Sequence, residues 1–166
     1  MVVPAQAHRG TATASLLNHV HLCSGLLRRA GRVLLVASAY PNHSRPLWNL
    51  PGGRQAEGEL LTEALQREFA EETGLEISVG ELLYVSESYD GATHFTNVTF
   101  DVTSDGEAKL PARDAHIVAL EWVPLTAIEQ RLTVRVVREP LLAHLKGDRR
   151  GYFGYAEAGI SIVFAD

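Results

Sequence analysis

Three glutamates, Glu68, Glu71 and Glu72, lie within five positions of one another in a segment that has the pattern of an amphipathic helix. At about 100° per residue, four apolar side chains share one stripe of that helix: Leu61, Ala64, Leu65 and Phe69. Glu68 and Glu72 fall inside the stripe, and Glu71 lies at its border. Like charges three or four residues apart repel each other, and burying even one is costly without a partner. A hard divalent cation, which prefers several carboxylate oxygens, would compensate them, so the spacing predicts a metal site.

The helix that carries these glutamates has clear limits in the sequence. A glycine-rich loop precedes it, good helix formers run from Leu60 to Thr73, and Gly74 follows as a C-cap. In the competing interpretation, the three carboxylates form only a solvated face of the helix. They continue the apolar stripe instead of opposing it, and Arg67 stands beside them as a counter-charge. Both observations favour the metal site.

The segment from Gly53 to Leu75 resembles the Nudix box, G-x5-E-x7-R-E-U-x-E-E-x-G-U, in which U is an aliphatic or bulky apolar residue. Every specified position matches: Gly53, Glu59, Arg67, Glu68, Phe69, Glu71, Glu72, Gly74 and Leu75. The flanks are also similar to the family, with L-W-N-L-P-G-G just before the box and L-E-W-V-P-L downstream from Leu120. The pattern of elements by itself indicates an α/β or α+β fold with one central mixed sheet. The resemblance implies the Nudix α/β/α sandwich.

The resemblance also implies a cofactor and its ligands. The cation would be Mg²⁺, for which Mn²⁺ could substitute, held mainly by Glu68 and Glu72. Glu71 would be a further ligand or would bind through water, and the backbone carbonyl of Gly52 would face the metal. Arg67 would orient a box carboxylate by a charge-assisted hydrogen bond.

Two box residues keep alternative roles. Glu59 would either buttress the loop or bind an outer metal ion. Glu63 lies four residues before Arg67, so this pair could be ordinary helix stabilisation that competes with the orienting role of Arg67.

The general base is where the chain departs from the common Nudix pattern, which places a glutamate before the strand that ends in W-V-P. Counting back from Trp122, that position is expected at His116, with Asp114 two residues earlier. Histidine takes up a proton near neutral pH, so His116 is a candidate base. Asp114 is the second candidate, and Glu72 itself is the third. A histidine without a catalytic role at the start of the strand is the remaining interpretation of His116.

Three residues outside the box are candidates for substrate binding. Arg45 precedes the box in a loop, Trp48 directly precedes the glycine-rich turn, and His94 follows a turn at Asp90-Gly91. Surface positions are the alternative for Arg45 and His94, and core packing is the alternative for Trp48. A C-terminal aromatic cluster could stack a base, form a homodimer contact, or pack at the core or a sheet edge: Tyr152, Phe153 and Tyr155.

Composition agrees with a small enzyme that handles phosphates through local cations. The 166 residues include 15 basic and 20 acidic side chains, a net charge of −5, which disfavours binding to duplex nucleic acid. The single cysteine, Cys23, cannot form an internal disulfide and fits a reducing cytoplasm. The chain shows no secretory signal pattern, and no run approaches the ~20 apolar residues that a membrane-spanning helix needs.

One domain is expected at residues 15–166, after a loose tail at residues 1–14. The patterns predict these strands: 16–27, 32–39, 77–87, 93–102, 117–123 and 158–164. Short helices are predicted at 125–132 and 138–145, in addition to the helix of the box.

The resemblance implies a Mg²⁺-dependent hydrolase that cleaves a pyrophosphate bond in a nucleoside diphosphate linked to another moiety. Nucleoside triphosphates, ADP-ribose, nucleotide sugars and dinucleotides are all substrates of this type. The alternative is a non-catalytic Nudix domain that senses a nucleotide, although such a module has no need for the charge density of a complete box. A diphosphate isomerase is a third possibility and would need a well-placed cysteine, for which Cys23 is a weak candidate.

Overall fold

The computed structural model describes residues 18–112 and 116–163. The strands are β1 Asn18–Arg29, β2 Arg32–Ser38, β3 Leu47–Asn49, β4 Gly52–Arg54, β5 Ser78–Asp90, β6 Thr93–Thr103, β7 Ile117–Pro124 and β8 Tyr152–Tyr155. The helices are α1 Leu61–Thr73, α2 Ile128–Arg131 and α3 Arg135–Leu145, with a 3₁₀ turn at Leu125–Ala127 before α2. The tail expected at residues 1–14 lies outside the described residues. None of the described helices is long and apolar enough to cross a membrane.

The strands form one mixed sheet in the order β3-β2-β1-β6-β5-β8, with β4 added to β1 and β7 added to β2. The β1–β6 and β5–β8 pairs are parallel, and the other pairs are antiparallel. The long strand β1 joins the two halves of the sheet. It pairs with β6 from Asn18 to Leu27, and it reaches β2 only at Arg28 and Arg29.

Two apolar clusters cover opposite faces of the sheet. Alternate residues of a strand point to opposite faces, so Leu27 of β1 packs into one cluster and Leu26 into the other. The Leu27 cluster includes Leu65 and Phe69 of α1, and the Leu26 cluster includes Leu141 of α3. Helices therefore lie on both sides of a mixed sheet, which is the α/β/α sandwich expected from the sequence.

Helix α1 begins and ends where the sequence predicts. At its start, the Glu63 carboxylate accepts a hydrogen bond from the Leu60 N–H at 2.8 Å, which satisfies one of the unpaired amides of the first turn. At its end, Gly74 adopts the left-handed conformation (φ 70°) and donates its N–H to the Ala70 carbonyl at 3.0 Å. The apolar stripe faces the sheet, as Ala64, Leu65 and Phe69 are fully buried.

Most of the predicted strands are confirmed, but the last one is wrong. The final strand is β8, Tyr152–Tyr155, which adds to the edge of the sheet beside β5. The described part of the predicted strand, residues 158–163, is irregular. Its backbone groups around Ser161 bond to side chains of a loop instead of to a neighbouring strand. Tyr152, Phe153 and Tyr155 of the C-terminal aromatic cluster thus belong to this edge strand, in which Phe153 is buried and Tyr152 is exposed.

Candidate active site

Gly52 and Gly53, at the start of β4, are called the glycine turn below. They place backbone directly against two carboxylates of the box. A β-carbon at Gly53 would lie 2.7 Å from Oε2 of Glu68 and closer still to the rest of that carboxylate, so a side chain here would displace the Glu68 carboxylate. The Glu72 side chain is buried (8% exposed), and its Oε2 accepts a hydrogen bond from the Gly52 N–H at 2.9 Å. Gly52 has a φ of 149°, and a side chain there would collide with β1. Glu68 and Glu72 thus face the same glycine turn.

Arg67 ties the rest of the box together. Its guanidinium makes a bidentate pair with Glu59, with N···O distances of 2.7 and 3.0 Å. It also donates to Glu68 at 2.9 Å, to Glu71 at 3.2 Å and to the backbone carbonyl of Arg54 at 2.9 Å. One side chain therefore links the loop, the glycine turn and the helix. Fixed bidentate geometry of this kind is a property of arginine that lysine lacks.

The competing Arg67–Glu63 pair does not form within the described part of the chain. The Glu63 carboxylate instead accepts the Leu60 N–H at the start of α1. Arg67 reaches back eight residues to Glu59, whose other hydrogen bond comes from the Ala56 N–H at 2.9 Å. The structure therefore favours the buttressing interpretation of Glu59.

The two carboxylates that contact Arg67 most closely have pKa values shifted in opposite directions. Hydrogen bonds from Arg67, and then from the Ala56 N–H, hold the pKa of Glu59 well below its usual value. Burial raises the pKa of Glu68 in spite of the opposing contact with Arg67. Glu59 is thus fully compensated as an anion, whereas the Glu68 carboxylate, 16% exposed, is not. A buried and under-compensated carboxylate is a ligand that gains from a cation.

The donor set fits a hard divalent cation. Glu68 and Glu72 line one cavity together with Gly52, and carboxylate and carbonyl oxygens are the ligands that Mg²⁺ prefers. Over residues 18–112 and 116–163, no three His, Cys, Asp or Glu side chains already converge as a complete ligand set. Glu68 is paired with Arg67, Glu72 with the Gly52 N–H, and the Glu71 side chain is 55% exposed.

The cavity beside these carboxylates has a volume of about 390 Å³. It lies between the two halves of the sheet, and its lining includes Arg54, Tyr40 and His116. Its polar wall was missed by the sequence analysis: Ser24, Ser86, Ser88, Asp90 and Asn97. The available signal was the alternation of small polar residues along β5, where Ser86 and Ser88 are each 7% exposed. Buried polar residues on one face of a strand mark a polar cavity better than a core.

His116 stands at the cavity in a defined orientation. Its Nδ1 lies 2.9 Å from the Ala39 carbonyl oxygen, which only accepts hydrogen bonds, so Nδ1 donates the proton of this bond. The ring also packs edge-on against Tyr40, with centroids 4.8 Å apart. These two contacts hold the ring at the lining of the cavity, where a histidine can act as a base. The second candidate base, Asp114, lies outside the described residues.

The three candidate substrate residues are placed differently. Trp48 lines the cavity, and the Arg131 guanidinium stacks over its indole at 4.7 Å while pairing with Glu121. Arg45 is exposed and lies outside the described lining of the cavity.

His94 also lies outside that lining, on the face of β6 that α1 covers further along the strand. It stacks on Tyr89 with ring centroids 4.5 Å apart. Its Nδ1 is 3.0 Å from Nδ1 of His19, and its Nε2 is 3.2 Å from the Glu87 carboxylate. The contacts of His94 are therefore with its neighbours in the sheet.

Cys23 lies behind the glycine turn, 1% exposed, with its Sγ 3.6 Å from the Gly53 carbonyl oxygen. Burial raises the pKa of this thiol to about 11. Only roughly one thiol in a thousand is then ionised at pH 8, and the thiolate is the reactive form. We expect iodoacetamide to leave the native protein unmodified at pH 8 while it fully alkylates the urea-unfolded protein, as measured by intact mass. Rapid alkylation of the native protein would contradict this placement.

Residues 18–145 match the family description NUDIX domain, and the chain belongs to this family. The human 8-oxo-dGDP phosphatase NUDT18 is 34% identical over 104 residues, which cover 61% of this chain and 31% of that protein. The 8-oxo-dGTP diphosphatase of Buchnera aphidicola is 30% identical over 61 residues, which cover 37% of this chain and 47% of that protein. The chain thus spans less than half the length of each of these relatives.

Solved structures confirm the fold. A MutT NUDIX hydrolase from Burkholderia pseudomallei, 28% identical, matches with a TM-score of 0.65 and covers 75% of this chain and 97% of that chain. A NUDIX hydrolase from Nitrosomonas europaea, 21% identical, matches with a TM-score of 0.69 and covers 81% and 93%. The Nudix sandwich with a mixed central sheet is therefore the fold of this protein. Nudix hydrolases generally use divalent metal cations.

Proposed function

We propose that this domain is a Mg²⁺-dependent hydrolase that cleaves a pyrophosphate bond in a nucleoside diphosphate linked to another moiety. The observation that carries the proposal is the pair of partly buried Glu68 and buried Glu72, packed against the Gly52–Gly53 turn at the wall of a cavity. Family membership and the activities for which the relatives are named support hydrolysis of a phosphorus-containing anhydride.

In this proposal, Glu68, Glu72 and the Gly52 carbonyl hold the cation, and Glu71 contributes directly or through water. When bound, Mg²⁺ would neutralise charge on the phosphates and lower the pKa of the attacking water. Arg67 keeps the Glu68 carboxylate in one orientation through the 2.9 Å hydrogen bond.

The remaining groups act on the phosphates and on the water. Arg54, at the lining of the cavity beside Gly53, places a positive charge where the phosphates enter. His116 then accepts the proton of the attacking water at Nε2, with Asp114 as the alternative base.

Within this substrate class, we propose a guanine nucleotide such as dGTP or an 8-oxo form, because the human relative is named for 8-oxo-dGDP and the Buchnera relative for 8-oxo-dGTP. The test is a screen with Mg²⁺ of dGTP, 8-oxo-dGTP, the other nucleoside triphosphates, ADP-ribose, NADH, nucleotide sugars and dinucleoside polyphosphates, with products separated by ion-exchange chromatography. Preferred turnover of a guanine nucleotide supports the proposal. Preferred turnover of ADP-ribose or a nucleotide sugar would contradict the guanine nucleotide but keep the substrate class. No turnover of any compound would favour the nucleotide-sensing alternative.

The surroundings of Cys23 disfavour the isomerase alternative. Cys23 belongs to the lining of the cavity but is 1% exposed, and burial raises the pKa of its thiol to about 11, which disfavours an acid–base role. A buried thiol of this kind agrees with a reducing compartment, and we propose the cytoplasm. A homodimer also stays a proposal, for which the exposed edge strand β8 is the candidate contact.

Saturating Mg²⁺ is expected to raise the melting temperature, because a ligand that binds only the folded state stabilises it by mass action. At a concentration of 100 Kd the gain is about 2.7 kcal/mol, or roughly 5–10 °C for a domain of this size. In the Glu68→Gln, Glu72→Gln double variant, the rise should fall below about 1 °C, as measured by scanning calorimetry with and without the ion.

The matched control for this prediction removes two exposed glutamates, Glu57→Gln and Glu76→Gln, and should keep the full rise in melting temperature. An equal rise in the site variant and in the control would place the cation elsewhere.

A further inference from the structure

The C-terminal strap, defined as residues 156–163, forms part of the cavity although it lies beyond the residues that match the family. The match ends at residue 145, whereas the strap follows β8 and supplies Ala158, Ile160 and Ile162 to the lining. The cavity that contains Glu68 and Glu72 is therefore completed by chain that the family pattern does not include.

Side chains alternate along the strap. Ala158, Ile160 and Ile162 face the cavity, whereas the residues between and after them are exposed. The strap thus presents a continuous apolar strip. Val134, Val136 and Val137, at the start of α3, extend the apolar part of the lining. Phosphate groups have no favourable contact with such a wall, but the face of a nucleobase does.

Asn42 fastens the strap to the loop between β2 and β3. Its side-chain Nδ2 donates to the Ser161 carbonyl at 2.7 Å, and its Oδ1 accepts the Val163 N–H at 3.0 Å. One amide thus bonds a carbonyl and an N–H two residues apart, as a neighbouring strand would. The residue between them is Ile162, so its side chain is held toward the cavity. At the other end, the Ala158 N–H donates to the Tyr89 carbonyl at 2.7 Å.

We propose that the strap is the wall that receives the nucleobase of the substrate, and that Asn42 is the positioning residue that holds it in place. The inference rests on the proposed function and extends it, because it assigns recognition of the base to residues 156–163. Changes in the strap should alter how tightly a nucleotide binds, and they should leave the phosphate chemistry at Glu68 and Glu72 in place.

The first test compares two neighbouring aspartate substitutions with dGTP as the probe. Ile162→Asp puts a charge on the wall that faces the base and should raise KM by about tenfold or more, with kcat within about threefold of wild type. Val163→Asp makes the same change on a half-exposed outward side chain and should leave KM within about twofold of wild type. Equal KM values in the two variants would overturn the inference.

Inorganic pyrophosphate, which has no base, separates base recognition from general damage. Its inhibition constant should stay within about twofold of wild type in Ile162→Asp, because its contacts are with the phosphate site. A parallel loss of pyrophosphate and dGTP affinity would mean that the substitution disturbs the whole site and would overturn the assignment.

A second pair of variants tests the fastening. Asn42→Ala should raise KM for dGTP by roughly five- to tenfold, because two hydrogen bonds that order the strap are lost. Asn18→Ala, an identical change at an exposed position of β1, should not. An unchanged KM in Asn42→Ala would remove Asn42 as a positioning residue. A wild-type protein without Mg²⁺-dependent turnover of dGTP would refute the proposed substrate, whereas wild-type turnover with unaltered KM in every variant would refute the role of the strap alone.

Discussion

Glu72→Gln is expected to lower kcat by roughly 10³-fold or more, because a bound cation supplies several kcal/mol of charge stabilisation and each 1.36 kcal/mol is worth tenfold in rate. Glutamine keeps the size of the side chain and can still accept the hydrogen bond from the Gly52 N–H, so the fold should persist. The measurement is the steady-state rate of nucleotide hydrolysis with saturating Mg²⁺, together with circular dichroism to check the fold. A chelator should abolish wild-type activity, and added Mg²⁺ or Mn²⁺ should restore it.

Glu57→Gln is the matched control for this experiment, since Glu57 is exposed in the loop before α1 and the change of charge is the same. Its kcat should equal that of wild type. Full activity in Glu72→Gln would disprove the assignment of the metal site, even if the protein proves to be a hydrolase.

His116→Ala is expected to lower kcat by roughly 10²–10⁴-fold with little change in KM, the usual range for a lost general base. The hydrogen bond from Nδ1 to the Ala39 carbonyl holds the ring at the lining of the cavity. If Asp114 is the base instead, Asp114→Asn should carry the penalty and His116→Ala should not.

His21→Ala serves as the control, since it removes an exposed imidazole from β1 outside the described lining of the cavity. Near-normal turnover in His116→Ala would remove this histidine from the mechanism. If Asp114→Asn is also within about tenfold of wild type, neither side chain is the base, and Glu72 is the remaining candidate among those considered.

Local pattern alone was sufficient for the helix that carries the site. The stripe from Leu61 to Phe69 and the cap at Gly74 depend on residues within a few turns of one another, and the structure has both where the pattern predicts them. The complete box identified the family, which in turn implied the sandwich that the structure contains. Which residues bind the metal and which one is the base stay predictions.

The partners of Arg67 could not be read from the sequence. Glu63, one helical turn away, is the obvious local partner, yet the guanidinium pairs with Glu59 from the loop. That choice depends on the path of the loop across β1, which is set by hydrogen bonds such as Gln55 N–H to the His21 carbonyl, 3.0 Å. The path of a loop depends on contacts between residues distant in sequence, and the hydrophobic periodicity of the sequence contains no information about such contacts.

Apolar residues alternate at positions 158–162, and this alternation is typical of a strand, because alternate side chains of a strand are buried on one face. Such alternation indicates only which side chains face the interior, and here Ala158, Ile160 and Ile162 face the cavity. Whether the backbone is a strand depends on what it bonds to, and at Ser161 and Val163 that partner is the side chain of Asn42, about 120 residues earlier. The sequence by itself therefore determined the family, the fold and the helix of the box. Only the tertiary structure decided which distant segments close the cavity, because its walls come from strands, a helix and a strap that meet only in the folded chain.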